Sequence, residues 1–306
     1  MASRPPQADA SFVSERYNDG ILLVRAVLMS QFASHLLQRI RAYSPLCVGI
    51  DPSASLLKMC GLPDSPEGAL SFGLRVLQSV NFQLSIIKPQ SAFFERFGSS
   101  GMQALEELVR QARAREVLVL LDGKRGDIDS TAAAYAEGYF SKTTSLRVDA
   151  VTTHAYLGLG ALKPLINVAL ENDGGVFVVV RSSNPEGVEL QMARMIDGTT
   201  VAQQLAAQIT QLNRKAHSTS LGPIGAVVGA TCEDADDIAG AMPASFILAP
   251  GVGAQGATMR DVKARMPSAR GRVLPSVSRG ILANGTSGDD ISKTIEIFSE
   301  MARELL

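Results

Sequence analysis

The sequence has no tryptophan, and aromatic residues make up only 5% of its 306 residues. Its three cysteines, at positions 47, 60 and 232, are an odd number without the spacing of a metal site. This pattern argues against both a disulfide framework and a zinc site. We interpret the cysteines as packing residues of a reduced protein, for which the cytoplasm is the expected location.

An excess of charge of one sign is also missing, because 29 basic and 30 acidic residues give a formal net charge of −1. The two signs are interspersed, so neither a nucleic-acid partner nor a membrane partner is expected. No run approaches the roughly 20 apolar residues that span a bilayer. The apolar stretch 21–29 is short and interrupted by Arg25, and no cleavage pattern of a secretory signal follows it.

What the sequence has in abundance is aliphatic residues in alternating blocks. Short apolar runs typical of buried strands alternate with longer stretches whose apolar residues recur at helical spacing. The strands are predicted at 46–50, 83–88, 117–121, 149–153, 175–181, 224–229, 245–249 and 272–277. The helices are predicted from 30 to about 43, within 66–80 and 99–115, after 130 and 160, within 199–216, at 233–241, after 259, and at 289–306.

Eight strands, each followed by a helix, predict an α/β protein with a (β/α)₈ TIM barrel, a fold of roughly 250 residues. An open doubly wound sheet shows the same alternation and remains an alternative. We assign residues 29–306 to one barrel domain. Residues 1–28 contain Pro5-Pro6 and scattered polar residues, and we interpret them as an N-terminal extension that is expected to be partly disordered.

The most unusual stretch is 117–131, in which five apolar residues lead into alternating charges. Because side chains alternate along a strand, Asp122 and Lys124 are predicted to point to the same side and to share one cavity. Asp127 falls just past the strand, and residues 129–131 are predicted to cap the following helix. A strand-end salt bridge without a function is the alternative interpretation of this stretch by itself.

Charged or otherwise unusual residues also follow predicted strands one, two, five, seven and eight. In a barrel the loops after the strands carry the chemistry, and buried charges are costly unless they are paired. The combination therefore predicts one active site at this end of the barrel. The residues concerned include Asp51, Lys88, Asp122, Lys124, Ser183, Pro250, Ser278 and Arg279.

The segment Gly251-Val-Gly-Ala-Gln-Gly256 matches the dinucleotide-binding pattern G-x-G-x-x-G. The context does not fit, because the segment follows the seventh strand and Pro275 and Ser276 stand where an acidic residue is expected. The loops after strands seven and eight are the usual phosphate site of a barrel. We therefore predict a phosphate cradle made by the glycine amides and Arg279, and a phosphorylated small molecule as substrate.

From about residue 45 to residue 282 the chain resembles the orotidine 5′-monophosphate decarboxylases. The motifs that carry the resemblance are Val48-Gly-Ile-Asp51, Ile86-Ile-Lys-Pro-Gln90, Leu121-Asp-Gly-Lys-Arg-Gly-Asp-Ile128, Ser183-Asn-Pro185, Pro250-Gly-Val-Gly-Ala-Gln-Gly256 and Ser278-Arg279. The segment Lys88-Pro-Gln-Ser-Ala-Phe-Phe-Glu95 is similar to the corresponding segment in the bacterial branch of the family that has longer chains. The chain departs from that branch at His154-Ala-Tyr156, where Asn-Pro-Tyr is more usual.

The resemblance implies decarboxylation of orotidine 5′-monophosphate (OMP) to UMP, the last step of de novo UMP synthesis, with neither cofactor nor metal. It implies that Lys124 stabilises the carbanion at C6 of the pyrimidine and then protonates it. Asp122 would lie beside the departing carboxylate, and Lys88 and Asp127 would hold both residues in an order of alternating charge. The barrel fold is the one that these enzymes share.

Substrate contacts follow from the same motifs. The resemblance implies that Asp51 and Lys88 bind the ribose, that Ser183 reads the pyrimidine, and that Gln255 bridges the base and the phosphate. Arg279 and nearby amides would hold the phosphate. Three further positions are carried over as substrate-binding residues: Pro250, Gly256 and Ser278. A homodimer is also implied, in which the partner subunit's active site is completed by Asp127, Ile128 and Thr131.

Two other functions stay open at this point. A magnesium-dependent sugar-phosphate decarboxylase or aldolase would share the D-x-K-x-x-D core, and a barrel that only binds a phosphorylated metabolite would share the phosphate loops.

His154 is more simply a structural residue than an acid or base. We interpret the acidic residues of 233–237 as charges of a helix first turn, and we predict no metal site.

Overall fold

The computed structural model describes residues 31–216, 221–253 and 256–306. The predicted extension, 1–28, lies outside the described residues, so its boundary stays a prediction. Eight parallel strands close into a barrel in the order β1 to β8. They are β1 (Cys47–Ile50), β2 (Ile86–Pro89), β3 (Leu118–Arg125), β4 (Ala150–His154), β5 (Gly175–Arg181), β6 (Ile224–Val228), β7 (Ile247–Pro250) and β8 (Val273–Val277).

Closure is made by β1 and β8, which pair in parallel with Cys47 opposite Ser276 and Val48 opposite Val277. This pairing confirms the predicted barrel and excludes the open sheet. The barrel arises because the strands are buried on both faces, so that their aliphatic residues pack inward against one another and outward against helices.

Helices follow the strands as predicted, apart from shifts at their ends. They are α1 (Gln31–Ala42), α2 (Ala54–Met59), α3 (Pro66–Ser79), α4 (Ala92–Glu95), α5 (Gly98–Arg113), α6 (Asp129–Phe140), α7 (Lys163–Glu171), α8 (Gly187–Gln191), α9 (Val201–Ala216), α10 (Ala235–Gly240), α11 (Met259–Arg265) and α12 (Gly288–Arg303). The short helices α2, α4 and α8 lie in loops and were not predicted. Within the described part of the chain, none of the helices is long and apolar enough to cross a membrane.

Local sequence explains where several helices begin. Ser65 caps α3 by accepting a hydrogen bond from the Gly68 amide, and Thr258 and Asp261 form a reciprocal capping box at α11. The cap predicted for α6 from residues 129–131 is wrong. That helix begins directly after Ile128 without a side-chain cap, because its first residue is already Asp129.

Helix α1 closes the N-terminal end of the barrel. Its residues Phe32, Leu36 and Ile40 are buried against the side chains of the barrel interior. The Phe32 ring meets the Phe177 ring edge-on, with centroids 6.3 Å apart, and a β-carbon at Gly175 would lie 2.3 Å from the Phe32 ring. A plug at this end leaves the C-terminal ends of the strands as the face on which a ligand site can be built.

Candidate active site

A cavity of about 160 Å³ opens at the C-terminal ends of the strands. It lies where barrel enzymes place their chemistry. Seven of the predicted site residues line it, and six further residues complete its wall. The predicted ones are Asp51, Lys88, Asp122, Lys124, Pro250, Ser278 and Arg279; the others are Thr152, Val227, Leu248, Gly251, Val252 and Ser276.

Three charged side chains form the centre of this cavity. The Asp122 carboxylate accepts a hydrogen bond from the Lys88 ammonium at 2.8 Å and another from the Lys124 ammonium at 2.6 Å. The Lys88 and Asp122 side chains are buried, whereas the Lys124 side chain is 50% exposed. Lys124 is therefore the charge of this group that an entering molecule can reach most easily.

The charges determine one another's protonation. Burial alone would raise the pKa of Asp122, but attraction to Lys88 and Lys124 outweighs burial and holds that pKa well below its usual range. Burial would lower the pKa of Lys88, yet attraction to Asp122 and Asp51 raises it. At neutral pH the buried pair is thus fully ionised.

The backbone that carries Lys124 is irregular. The prediction ended β3 at residue 121, but the strand continues to Arg125, and its register against β4 shifts between Leu121 and Arg125. Within this bulge Lys124 has φ = +44°, a left-handed conformation that residues with a side chain rarely adopt. Bulges of this kind change the direction of a side chain next to an active site.

Two hydrogen-bonding residues of this centre were missed by the sequence analysis. The Thr152 hydroxyl donates to Asp122 Oδ1 at 2.7 Å and accepts from the Lys124 amide at 3.1 Å. Gln90 donates through its side chain to the Asp122 carbonyl at 3.1 Å. A hydroxyl pair, Thr152-Thr153, in an otherwise aliphatic strand was the available signal for Thr152.

Asp51 and Ser278 join the first and last strands across the barrel seam. The Ser278 hydroxyl donates to Asp51 Oδ2 at 2.6 Å. Among the described residues, the buried Asp51 Oδ1 has no hydrogen-bond partner. Gly49 permits the approach, because a β-carbon there would lie 2.7 Å from Ser278 Cβ. Asp51 thus lines the cavity with one buried oxygen that has no hydrogen-bond partner in the described part of the chain.

The loops after β7 and β8 lie close to each other on one side of the cavity. Gly251 and Gly253 have φ values of +112° and +80°, which glycine adopts without strain. A β-carbon at Gly253 would lie 3.8 Å from the Gly280 α-carbon, next to Arg279. Two loops with glycine at their contact, one of which carries an arginine, are suited to bind a phosphate.

The remaining predicted residues do not line this cavity. Asp127, Ile128, Thr131 and Ser183 lie outside its lining, and Gly256 belongs to a neighbouring concavity with Asp261 and Arg265. Gln255 lies outside the described residues. The Asp127 carboxylate accepts a hydrogen bond from the Ile128 amide at 2.8 Å, and the Ile128 side chain is 51% exposed.

Ser183 lies on the loop after β5 and packs against the end of β6. A β-carbon at Gly229 would lie 2.8 Å from the Ser183 amide nitrogen and from its β-carbon. The neighbouring Ser182 is held by Gln191, whose side chain accepts from the Ser182 amide at 2.9 Å. This loop therefore has a defined position beside the cavity.

The acidic residues near 233–237 have structural partners. Asp234 pairs with Arg181 at 3.1 Å, and Asp236 accepts a hydrogen bond from the Ser268 amide at 2.8 Å. Asp236 and Asp237 stand in the first turn of α10, as predicted. Across residues 31–216, 221–253 and 256–306, no group of three or more potential metal ligands is found. His154 accepts a weak hydrogen bond from the Tyr156 amide at 3.4 Å.

Comparison with known proteins gives a consistent result. The family model described as "Orotidine 5'-phosphate decarboxylase / HUMPS family" matches residues 44–293. An orotidine 5′-phosphate decarboxylase of Salinispora arenicola is 47% identical over 258 residues, which cover 84% of this chain and 91% of the relative. A relative of the same name from Myxococcus xanthus is 42% identical, over 87% of this chain and 92% of the relative.

Solved structures agree with these relatives. The OMP decarboxylase of Leishmania donovani superposes with a TM-score of 0.72 at 30% sequence identity, and the match covers 89% of this chain and 99% of that one.

Proposed function

The chain belongs to the orotidine 5′-phosphate decarboxylase / HUMPS family, and we propose the route by which its residues convert OMP to UMP and carbon dioxide. The observation that carries the proposal is the Lys88–Asp122–Lys124 array in the cavity at the C-terminal end of the barrel. The half-exposed Lys124 ammonium presents a positive charge to the cavity, which favours a substrate that develops negative charge at this place.

In the proposed reaction, the bond between C6 and the carboxylate breaks and its electron pair stays on C6. The Lys124 ammonium stabilises this carbanion and then donates a proton to C6, which leaves a neutral amine that is reprotonated from solvent. The partial exposure of Lys124 supports the role, because the group must contact substrate. Asp122 lies beside the departing carboxylate and fixes Lys124 by the 2.6 Å hydrogen bond.

The rest of the nucleotide is held around this centre. Asp51, whose carboxylate has an oxygen without a partner among the described residues, accepts from a ribose hydroxyl, and Lys88 lines the same cavity. Arg279 and the glycine loop after β7 bind the phosphate. Ser183 and Gln255 contact the base, for which the defined position of the Ser183 loop is support.

We extend the proposal to a homodimer in which Asp127, Ile128 and Thr131 complete the partner subunit's site. Asp127 does not line the cavity of its own chain, and Ile128 is exposed although apolar. Tyr156 and Leu157, on the loop after β4, are also 74% and 52% exposed. A second copy of the chain would cover these apolar side chains and bring Asp127 to the charged array. We place the enzyme in the cytoplasm, since its three cysteines are buried free thiols.

The reaction is tested by the loss of OMP absorbance with and without EDTA. We expect turnover that the chelator does not change, because the lysine array supplies the positive charge. A magnesium-dependent sugar-phosphate decarboxylase or aldolase would lose activity with EDTA and would leave OMP intact. That alternative is not favoured by the relatives, which carry the decarboxylase name. A protein that only binds the nucleotide would show no turnover in either sample.

The shared site is tested by complementation between Lys124→Ala and Asp127→Ala chains, each nearly inactive alone. After unfolding and refolding together, a mixed dimer has one site with both defects and one site with neither. Random pairing makes half of the dimers mixed, so roughly a quarter of all sites should regain full activity. If Asp127 acts within its own chain, the mixture stays as inactive as its parents, although mass analysis confirms mixed dimers.

A further inference from the structure

Lys124 lies in a part of β3 that regular strand pairing does not fix. The register against β4 shifts between Leu121 and Arg125, and Lys124 itself has φ = +44°. A lysine in this conformation is strained and stays there only when its surroundings hold it. The position of its ammonium group therefore depends on contacts from outside the ladder.

Thr152 supplies those contacts from the neighbouring strand. Its hydroxyl accepts from the Lys124 amide at 3.1 Å and donates to Asp122 Oδ1 at 2.7 Å. The Lys124 ammonium donates to the same Asp122 oxygen at 2.6 Å. The three bonds form a closed ring, in which the backbone and the side chain of Lys124 are both tied to one carboxylate oxygen.

The ring is protected from solvent. Thr152 is 1% exposed and Asp122 is 6% exposed, so water does not readily replace the hydroxyl. One hydroxyl has a single proton and two lone pairs, so its proton is used for Asp122 while a lone pair serves the Lys124 amide. A side chain of the same shape without the hydroxyl would leave both groups short of a partner.

We propose that Thr152 is a positioning residue for the decarboxylation, an inference that rests on the function proposed above. It acts through Lys124: it holds the strained backbone, orients the Asp122 carboxylate that binds the ammonium group, and thereby sets where that group meets C6. Its hydroxyl bonds to Asp122 and Lys124 and not to the predicted ribose and phosphate residues. Its loss should therefore lower kcat and leave substrate capture nearly unchanged.

The neighbouring residue provides a matched control. Thr153 is fully buried on the same strand, and its hydroxyl has no hydrogen-bond partner among the described residues. The substitutions Thr152→Val and Thr153→Val remove the same atom from adjacent positions and both keep a β-branched side chain suited to a strand. They differ in that only the Thr152 hydroxyl takes part in the hydrogen-bonded ring with Asp122 and Lys124.

The experiment measures kcat, KM and UMP affinity for the wild type and both variants, with Thr152→Ser as the variant that keeps the hydroxyl. We expect Thr152→Val to lower kcat about 10- to 100-fold, since misplacing a reacting group by 1 Å has an effect of this size. KM and UMP affinity should change less than about threefold. Thr153→Val should retain wild-type kcat within about twofold, and Thr152→Ser should recover most of the loss.

Two results would overturn the inference in an active enzyme: a Thr152→Val protein with kcat within about threefold of wild type, or equal losses in the two valine variants. If Thr152→Val does not fold, the test is the kcat of Thr152→Ala compared with that of Thr152→Ser, because only the serine keeps the hydroxyl. A Thr152→Ser protein as impaired as Thr152→Ala would reject the hydroxyl's role. Absence of OMP turnover in the wild type would instead reject the proposed function.

Discussion

The two ends of the barrel use buried polar residues in opposite ways. At the N-terminal end Arg272 and Asn213 bind backbone groups. Arg272 donates to the carbonyls of Ser245, Ala239 and Ser268, each at 2.8 Å, and Asn213 bonds both to the Ile224 carbonyl and to its amide. These side chains supply hydrogen bonds to buried backbone carbonyl and amide groups at the ends of strands and loops, where water cannot reach them. Their role is therefore structural.

At the C-terminal end, the buried charges bind each other around a cavity. Lys88 and Lys124 share Asp122, while Asp51 keeps one free oxygen. Here the charged side chains mainly bind other side chains rather than backbone groups, and the backbone of Lys124 is itself strained. The comparison teaches that burial of charge does not by itself identify an active site. The partners differ between the two ends. Arg272 ends on carbonyls, and Asp149 binds the Val119 amide as well as Arg113, so both hold strand ends in place. Lys88, Asp122 and Lys124 bind one another beside the cavity and are available for chemistry.

The largest expected effect on activity is that of Lys124→Ala. We expect kcat to fall by at least roughly 10²–10³, because one pre-organised charge is lost at the reacting carbon. UMP affinity should largely survive, since the phosphate and ribose contacts lie elsewhere. Steady-state kinetics and nucleotide titration measure the two quantities. A variant that keeps more than about a hundredth of wild-type kcat would contradict the role assigned to Lys124.

Arg279→Ala should have a smaller effect of a different kind. A charged hydrogen bond contributes about 1.5–3 kcal/mol, so kcat/KM should fall roughly 10- to 100-fold, mainly through KM. Added guanidinium should restore part of the loss, because it can occupy the vacated charge site. Unchanged substrate capture, with no response to guanidinium, would move the phosphate site away from the β8 loop.

Asn213→Ala tests the structural end of the barrel. The variant leaves the Ile224 amide without its side-chain acceptor and removes the donor to the Ile224 carbonyl and to the Ser245 hydroxyl. We expect the free energy of unfolding to fall by about 2–3 kcal/mol, while kcat/KM per folded molecule stays unchanged. Urea unfolding and activity under native conditions measure the two. A loss of kcat without a loss of stability would contradict the purely structural role assigned to Asn213 at the N-terminal end.

The smallest expected effect is on the acid dependence of stability, where two buried aspartates should act in opposite directions. The pKa of Asp122 is depressed because Lys88 and Lys124 outweigh burial. The pKa of Asp149, at the N-terminal end, is raised because burial outweighs Arg113 and the Val119 amide. Asp122 therefore contributes stability above the unfolded pKa of about 3.9 that is lost on acidification, and Asp149 does the reverse.

We accordingly expect Asp122→Asn to reduce the rise of unfolding free energy between about pH 3 and pH 6, and Asp149→Asn to increase it. Urea unfolding of the wild type and both variants across this range gives the slopes. The same change of slope in both variants would mean that the two ends do not differ electrostatically.

The barrel could be predicted from the sequence because the patterns that indicate each strand and helix lie within short segments of the chain. Each strand is a short aliphatic run, each long helix has its own periodicity, and charged residues stand where the runs stop. For that reason the sequence could place five charged residues in one cavity: Asp51, Lys88, Asp122, Lys124 and Arg279. The functional alternatives were separated only by the comparison with relatives.

What could not be predicted depends on contacts between distant segments. The extension of β3 depends on β4, where Thr153 lies opposite Arg125, and the ring through Thr152 joins residues 28 and 30 positions apart. The cap predicted for α6 failed for a related reason. Cap-forming residues were present in the sequence, but the helix starts one residue too early for them to act.

The hydrogen bond between Asp51 and Ser278 connects residues 227 positions apart along the chain. During translation the residues of the lysine array are synthesised early, but the proposed ribose and phosphate side of the pocket is not formed until β8 has emerged and paired with β1. Contacts of such long range are formed slowly, after local structure. A nascent or interrupted chain should therefore be inert rather than weakly active, because the pocket is incomplete until the barrel seam closes.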